Sequence, residues 1–495
     1  MREFRLESES RFSGIKPARS EKFRPRPGFP AGNPRLRTGS AAARLAEVQI
    51  IQSVWPVAIC CADSSLRTLR RFRSSSILCL AAFAVSMLLL ADVGCHRGRF
   101  PDVPAGYREF AYVSNGSSNT VSVLDLVYLR QEGTLQVGNQ PTGLAANPKR
   151  NEVYVVNAGI PSGTGSVSVI DTDTNRVVAT IPVHKLPYFI DVDAAGQRAY
   201  VANSGSNTVS VIDLDSRREI GVVGTGEQPG LARISPDMRS LVVTNRGSGS
   251  VSIYAVEPPP AEAKPILPGL PLKPKPAEKQ TLPHLRAVFP GCPGATDAVI
   301  LPDKLNKAFV ACSGGHQVMA ISLAAAPDSW EAKQNPSLLT DRMLALMDVG
   351  QTPIQLALKP DGGEVFCSNF ASGSFSEIDT QTNEVGGTYP IGNKPSFGIV
   401  SGDNSTLYIS NFGSDSVNLW SIDDSMKAGS VPTGHAPDTL AFSADEHLLL
   451  AADARSGDVS VIRTVDRSGV PALFTILPAG GAPNNIVVKA MPGTP

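Results

Sequence analysis

One short sentence recurs eight times along this chain: an apolar strand ending in Asn or a small residue, a Gly/Ser turn, and a Val-Ser-Val-Ile-Asp-like strand. Clear copies are Phe110–Asp125, Val153–Asp171, Ala199–Asp213 and Leu241–Ile253, followed by Ala308–Ile321, Val365–Asp379, Leu407–Leu419 and Leu449–Ile462. The residue leading the turn is Asn115, Asn157, Asn203, Asn245, Cys312, Asn369, Asn411 and Asp453 in order, at spacings of 42, 46, 42, 67, 57, 42 and 42. A dominant period of 42 residues with four strand-like runs per period predicts an all-β propeller of four-stranded antiparallel blades.

A proline stands sixteen residues before most anchors, at Pro141, Pro187, Pro229, Pro353, Pro395 and Pro437, and a Gly-x-x-Pro step precedes five of the six. Each unit therefore divides into strand A from the proline, B to the anchor, C through the Val-Ser-Val run, and D to the next loop. Alternation in Thr-Val-Ser-Val-Ile-Asp sends valines to one face and small polar groups to the other. The first unit lacks strand A, and Pro483 with Asn484–Lys489 supplies it from the far end of the chain. That strand should close the ring and remove an open edge. The expectation is eight blades, with seven as the alternative because the Cys312 unit is degenerate and bracketed by long spacings.

The anchor residues Asn115, Asn157, Asn203, Asn245, Asn369, Asn411 and Asp453 are read as structural turn residues, bonding their own turn or adopting left-handed backbone. Asp125, Asp171, Asp213 and Asp379 are read the same way. Past the leader the cysteines are Cys292, Cys312 and Cys367; a Cys292–Cys312 disulfide is expected, because the start of A and the end of B share one rim.

Residues 1–66 read as a disordered or mis-annotated leader, and residues 67–95 as an export signal: Arg67, Arg70, Arg71 and Arg73, then the apolar run Ile77–Ala91, then Gly94-Cys95. Leu90–Cys95 resembles a lipobox, making Cys95 a candidate for lipidation, although Asp92 departs from the pattern. Residues 1–94 hold 15 of the 45 basic and 7 of the 45 acidic groups, which leaves 30 against 38, a net charge of −8 for the rest. An acidic body without any nucleic-acid module excludes nucleic acid as the expected partner. The propeller is bounded at 107–491, with insertions at about 257–283, rich in Pro and Lys, and 324–342, containing Trp330.

With Tyr200-Val201-Ala202-Asn203 and its variants, the body resembles the YVTN family of bacterial and archaeal β-propeller repeat proteins, across roughly residues 107–491. Relatives of that family include surface-layer and periplasmic proteins, lactonase-like propellers and propeller portions of nitrous oxide reductase. The export signal at residues 67–95 leads to the expectation of an exported, periplasmic or outer-surface protein. It is expected to be a noncatalytic, monomeric scaffold that binds a protein or polysaccharide at the cell envelope, touching membrane only through a lipid anchor. The alternative is a periplasmic enzyme, a lactonase-like hydrolase or dehydrogenase-type protein. Catalytic candidates are thin: His184, His316 and His435 share a rim but belong to separated blades. No C-x-x-C-H, P-loop or cysteine metal-site spacing occurs, so no cofactor is expected, while a metal held by loop carboxylates around the central channel stays open because distant blades converge there.

Overall fold

A repeat of four short strands can bury both faces of its small sheet only by stacking between two copies of itself, and the chain does this in a ring. The structure, a computed structural model, describes residues 103–257, 281–302, 306–465 and 470–491. The expected leader (1–66), the signal with Cys95 (67–95) and most of the first insertion lie outside the described residues.

Eight four-stranded antiparallel sheets are present, numbered here as blades 1–8 in the order of their B strands. Blade 3 is typical: A is Pro187–Val192, B Arg198–Asn203, C Thr208–Asp213 and D Arg218–Gly224, paired in that order. Blade 1 takes its A strand from Pro483–Met491, which pairs antiparallel with Arg108–Asn115, Tyr112 opposite Val487. The last strand therefore closes the ring. Consecutive A strands pack side by side all the way round, so A lines the centre and D is the outer edge. Among the described residues no helix is long and apolar enough to cross a membrane.

The core lies between blades. Tyr154, Val156 and Val167 of blade 2 pack with Ile190, Val201 and Ile212 of blade 3, all buried. Tyr408, Val417 and Leu419 of blade 7 meet Leu440, Leu449 and Ile462 of blade 8 in the same way. Burial of one such side chain stabilises by roughly 1.5–3 kcal/mol. The free inner edge of the A strands is capped from the blade before it. Asp191 Oδ2 accepts from Ile234 N at 3.0 Å, Asp297 Oδ2 from Leu356 N at 2.9 Å, and Gln355 Oε1 from Gly398 N at 2.7 Å.

The anchors hold the upper rim, where B meets C and D meets the next A. They are buried, and Asn203 Nδ2 donates to Thr208 Oγ1 at 3.2 Å and Ser210 Oγ at 2.8 Å. Asn115, Asn157, Asn245 and Asn369 make the same paired bonds to hydroxyls of strand C. Asn411 differs, since Asn418 replaces the second hydroxyl, and donates to Ile409 O. None of these anchors has positive φ; outside blade 2, whose turn has Gly159 in that role instead, the left-handed residue comes four positions later, as at Asn119 (φ 57°) and Asn207 (φ 56°). Of the two expected roles, left-handed backbone does not occur at the anchor, because the anchor is still paired in the ladder. The aspartates closing strand C cap their turns: Asp125 Oδ1 accepts from Val127 N and Tyr128 N at 2.9 and 3.1 Å.

The glycine of the Gly-x-x-Pro step has a packing cause. A Cβ on Gly226 would sit 2.7 Å from Asn245 Cγ, and Gly226 N donates to Asn245 Oδ1 at 3.1 Å. In blade 5 the two partners of this latch are Cys292 and Cys312, and they form a disulfide. The second insertion, between C and D of that blade, folds as a short helix Trp330–Gln334 and a 3-10 turn Pro336–Leu339. Buried Asp341 fixes it to blade 4 by accepting from Arg286 Nη2 at 2.7 Å.

Candidate active site on the upper rim

The three rim histidines stand in separate loops, each on its own partner. His184 Nε2 lies 3.5 Å from Glu219 Oε1. His316 occupies the left-handed turn position (φ 58°), and its Nδ1 accepts from Thr352 N at 3.1 Å. This repeats what Asn119 and Asn207 do for Gln140 N and Gln228 N, so His316 is a turn residue. His184 and His316 are not brought together with His435.

His435 is set differently. It sits in the loop between strand D of blade 7 and strand A of blade 8, and its Nδ1 is 2.9 Å from Asp415 Oδ2. Asp415 takes the left-handed position (φ 50°) of the blade 7 turn, and its other oxygen accepts from Ala436 N at 2.8 Å. The loop is pinned from blade 8 as well: His435 N donates to Ser456 Oγ at 2.9 Å, and His435 O accepts from Arg455 N at 3.0 Å. The backbone bond from Ala436 holds the carboxyl of Asp415 below the usual carboxylate range, and the bond to His435 lowers it further. Hydrogen bonding to Asp415 in turn raises the His435 pKa above its ordinary value. A carboxylate only accepts, so the imidazole presents Nδ1–H to it and leaves Nε2 as the basic nitrogen on an exposed ring.

Beside this pair runs an aromatic and cationic wall. The Arg455 guanidinium stacks over the Phe412 ring at 5.1 Å, Phe412 and Phe370 are 6.3 Å apart at 49°, and Lys394 Nζ lies 5.5 Å from the Phe370 ring. Phe370 and Phe412 directly follow the anchors of blades 6 and 7. The same position holds Gly116, Ala158, Ser204 and Ser313 in blades 1, 2, 3 and 5, so the bulky wall is confined to one side of the rim, apart from Arg246 of blade 4. Aromatic faces with cations across them suit a ring-shaped ligand carrying an anionic or carbonyl oxygen.

Blade 8 adds a second acidic feature below the rim. Asp453 replaces the anchor Asn, and Asp458 replaces the hydroxyl that the anchor serves. Asp453 Oδ2 accepts from Ser460 Oγ at 2.7 Å and Ser460 N at 3.0 Å, while its Oδ1 is buried without a hydrogen-bond partner among the described residues. Burial, and then the neighbouring Asp458 carboxylate, push the Asp453 pKa up to about 7. Among the described residues no cluster of three or more His, Cys, Asp or Glu could hold a metal ion.

The fold and rim define an eight-bladed β-propeller with a polar and aromatic upper face. The sequence profile of the family described as "Lactonase, 7-bladed beta-propeller" matches residues 362–488, roughly a quarter of the chain, from blade 6 to the closing strand. Solved structures share the fold at low identity. Dihydro-heme d1 dehydrogenase NirN is 15% identical with a TM-score of 0.56, covering 79% of this chain and 77% of its own. A Lactobacillus plantarum protein is 16% identical with a TM-score of 0.51, covering 77% and 99%. A putative 6-phosphogluconolactonase from Bacteroides uniformis is 16% identical with a TM-score of 0.50, covering 78% and 100%. A search among curated proteins found no match.

The lactonase match overturns the expectation of a noncatalytic binding scaffold in favour of the alternative, an enzyme-like propeller. Sequence reasoning discounted the rim histidines because they belong to separated blades; Phe370, Lys394, Asp415, His435 and Arg455 are remote in the chain and come from loops of blades 6, 7 and 8. His435 was visible as a candidate, whereas Asp415 was not singled out. The one available signal was Asp415 at a turn position held by Asn or Gly in most blades.

Proposed function

We propose that the protein is a lactone-hydrolysing propeller enzyme whose catalytic pair is His435 and Asp415. The observation that carries this reading is an Asp-oriented histidine with a free Nε2, beside an Arg–Phe wall, inside the stretch that matches the lactonase profile. A lactone ring packs against Phe412 and Phe370, with its carbonyl oxygen towards the Arg455 guanidinium. His435 Nε2 takes a proton from water as the water oxygen attacks the carbonyl carbon. The tetrahedral oxyanion collapses, the ring C–O bond breaks, and the imidazolium returns its proton to the departing alkoxide. The product is the open hydroxy acid. Asp415 orients the imidazole and stabilises its charged form, as the acid does in a triad.

The test is acid release from a sugar δ-lactone in a pH-stat, with the purified full chain. The chain should exceed the spontaneous rate, and His435→Gln should lose about 10²–10⁴-fold with unchanged circular dichroism. A chain no faster than buffer, or a His435→Gln variant as active as the parent, removes the proposal.

We further infer that the repeat is of the YVTN type and that the chain is exported and trimmed at its leader. Support comes from the Tyr-Val-Ala-Asn run at 200–203 and the basic-apolar-Gly-Cys order of residues 67–95. Mass spectrometry of the mature N-terminus tests this and reads directly whether Cys95 carries lipid.

A further inference from the structure

The outer strands are the exposed edges of the ring, and eight such edges invite pairing with other chains unless they are blunted. Seven of them contain Gly or Pro: Gly133, Gly221, Gly386 and Gly429 stand inside four, and Pro182, Pro290 and Pro478 end three. The D strand of blade 5, Arg342–Asp348, reads Arg-Met-Leu-Ala-Leu-Met-Asp and has neither. It also carries three exposed large apolar side chains, more than any other outer strand, with Met343 at 50%, Leu344 at 38% and Leu346 at 39%. Every D strand carries one extra residue after its second position, so that bulge does not set blade 5 apart.

The charges at its ends say what fits against it. Arg342 and Asp348 are both exposed, one at each end. Laid antiparallel against itself about Ala345, the strand puts Arg342 opposite the second copy's Asp348 at both ends. Met343 then faces Met347, and Leu344 faces Leu346. No other D strand has opposite charges at its two ends. The preceding insertion is held by the buried Asp341–Arg286 pair, so the strand is presented on a fixed support, and Trp330 in that insertion is 70% exposed.

We propose that the blade 5 outer strand is a homodimerisation edge, joining two copies of this chain edge to edge through residues 342–348. This replaces the monomer expected from sequence. Sedimentation velocity on the full chain tests it with charge reversal. The parent should sediment as a dimer at micromolar concentration. Arg342→Asp places like charges opposite each other at both ends and should raise the dimer dissociation constant about tenfold or more. The double variant Arg342→Asp/Asp348→Arg restores the complementarity and should restore the dimer. A monomeric parent overturns the proposal. So does a dimer that the single variant leaves intact, which places association elsewhere, or a double variant that remains monomeric while folded.

Discussion

Replacing Asp453 by asparagine should remove a pH dependence that one blade imposes on the whole ring. In blades 1–4 and 6 an Asn amide donates to two hydroxyls of strand C, but blade 8 sets the buried Asp453 carboxyl against Asp458. Burial away from water, and then the Asp458 carboxylate beside it, disfavour the charged form, so the folded state keeps a proton, and the Asp453 pKa rises from 3.8 to about 7. A group that binds protons more tightly when folded makes stability fall as pH rises between its unfolded and folded pKa values. The loss is thus absent below about pH 4 and complete above about pH 7. A shift of about three units at 1.36 kcal/mol per unit corresponds to about 4 kcal/mol. Spread over an unfolding entropy of about 2.1 cal/mol/K per residue and nearly 400 residues, that is ~5 °C in the melting midpoint. An asparagine at this position would supply the amide donor of the other anchors and carry no titration. Differential scanning calorimetry of parent and Asp453→Asn at pH 4.5 and pH 8 measures it. The variant should melt several degrees higher at pH 8, with the gap much smaller at pH 4.5. Parallel melting profiles across that range would refute the retained proton.

The proposed base predicts its own pH profile: His435 must be neutral to accept a proton, and Asp415 raises its pKa, so hydrolysis should increase with pH through that raised value. Asp415→Asn should shift the rise to lower pH while reducing the plateau, as stopped pH-stat runs would show. Gly226→Ala would drive a Cβ to 2.5 Å from Ser248 Oγ and 2.7 Å from Asn245 Cγ; a loss of about 1–3 kcal/mol in urea unfolding is expected. The Cys292–Cys312 disulfide closes a 20-residue separation, so Cys292→Ala/Cys312→Ala should lower stability by about 3 kcal/mol, read by the same titration.

Sequence alone determined the blade, the ring and its closure, because each depends on local patterns repeated at a fixed period. Alternation in Val-Ser-Val-Ile-Asp sets strand C, Gly-x-x-Pro starts strand A, and the unpaired strand at 483–491 has one place to go. The Cys292 and Cys312 positions followed from the same register, since equivalent residues of equivalent units occupy equivalent places. Function escaped that logic. His435 and Asp415 are 20 residues apart with strand D between them, and Phe370 and Arg455 come from blades on either side. Only the side-by-side packing of blades 6, 7 and 8 brings these loops to one stretch of rim, and only there do burial and neighbouring charge set their chemistry. Asp415 and Asp453 make the contrast plain. Both are aspartates of the repeat's turn region, yet a backbone donor holds one ionised, while desolvation and a second carboxylate keep a proton on the other.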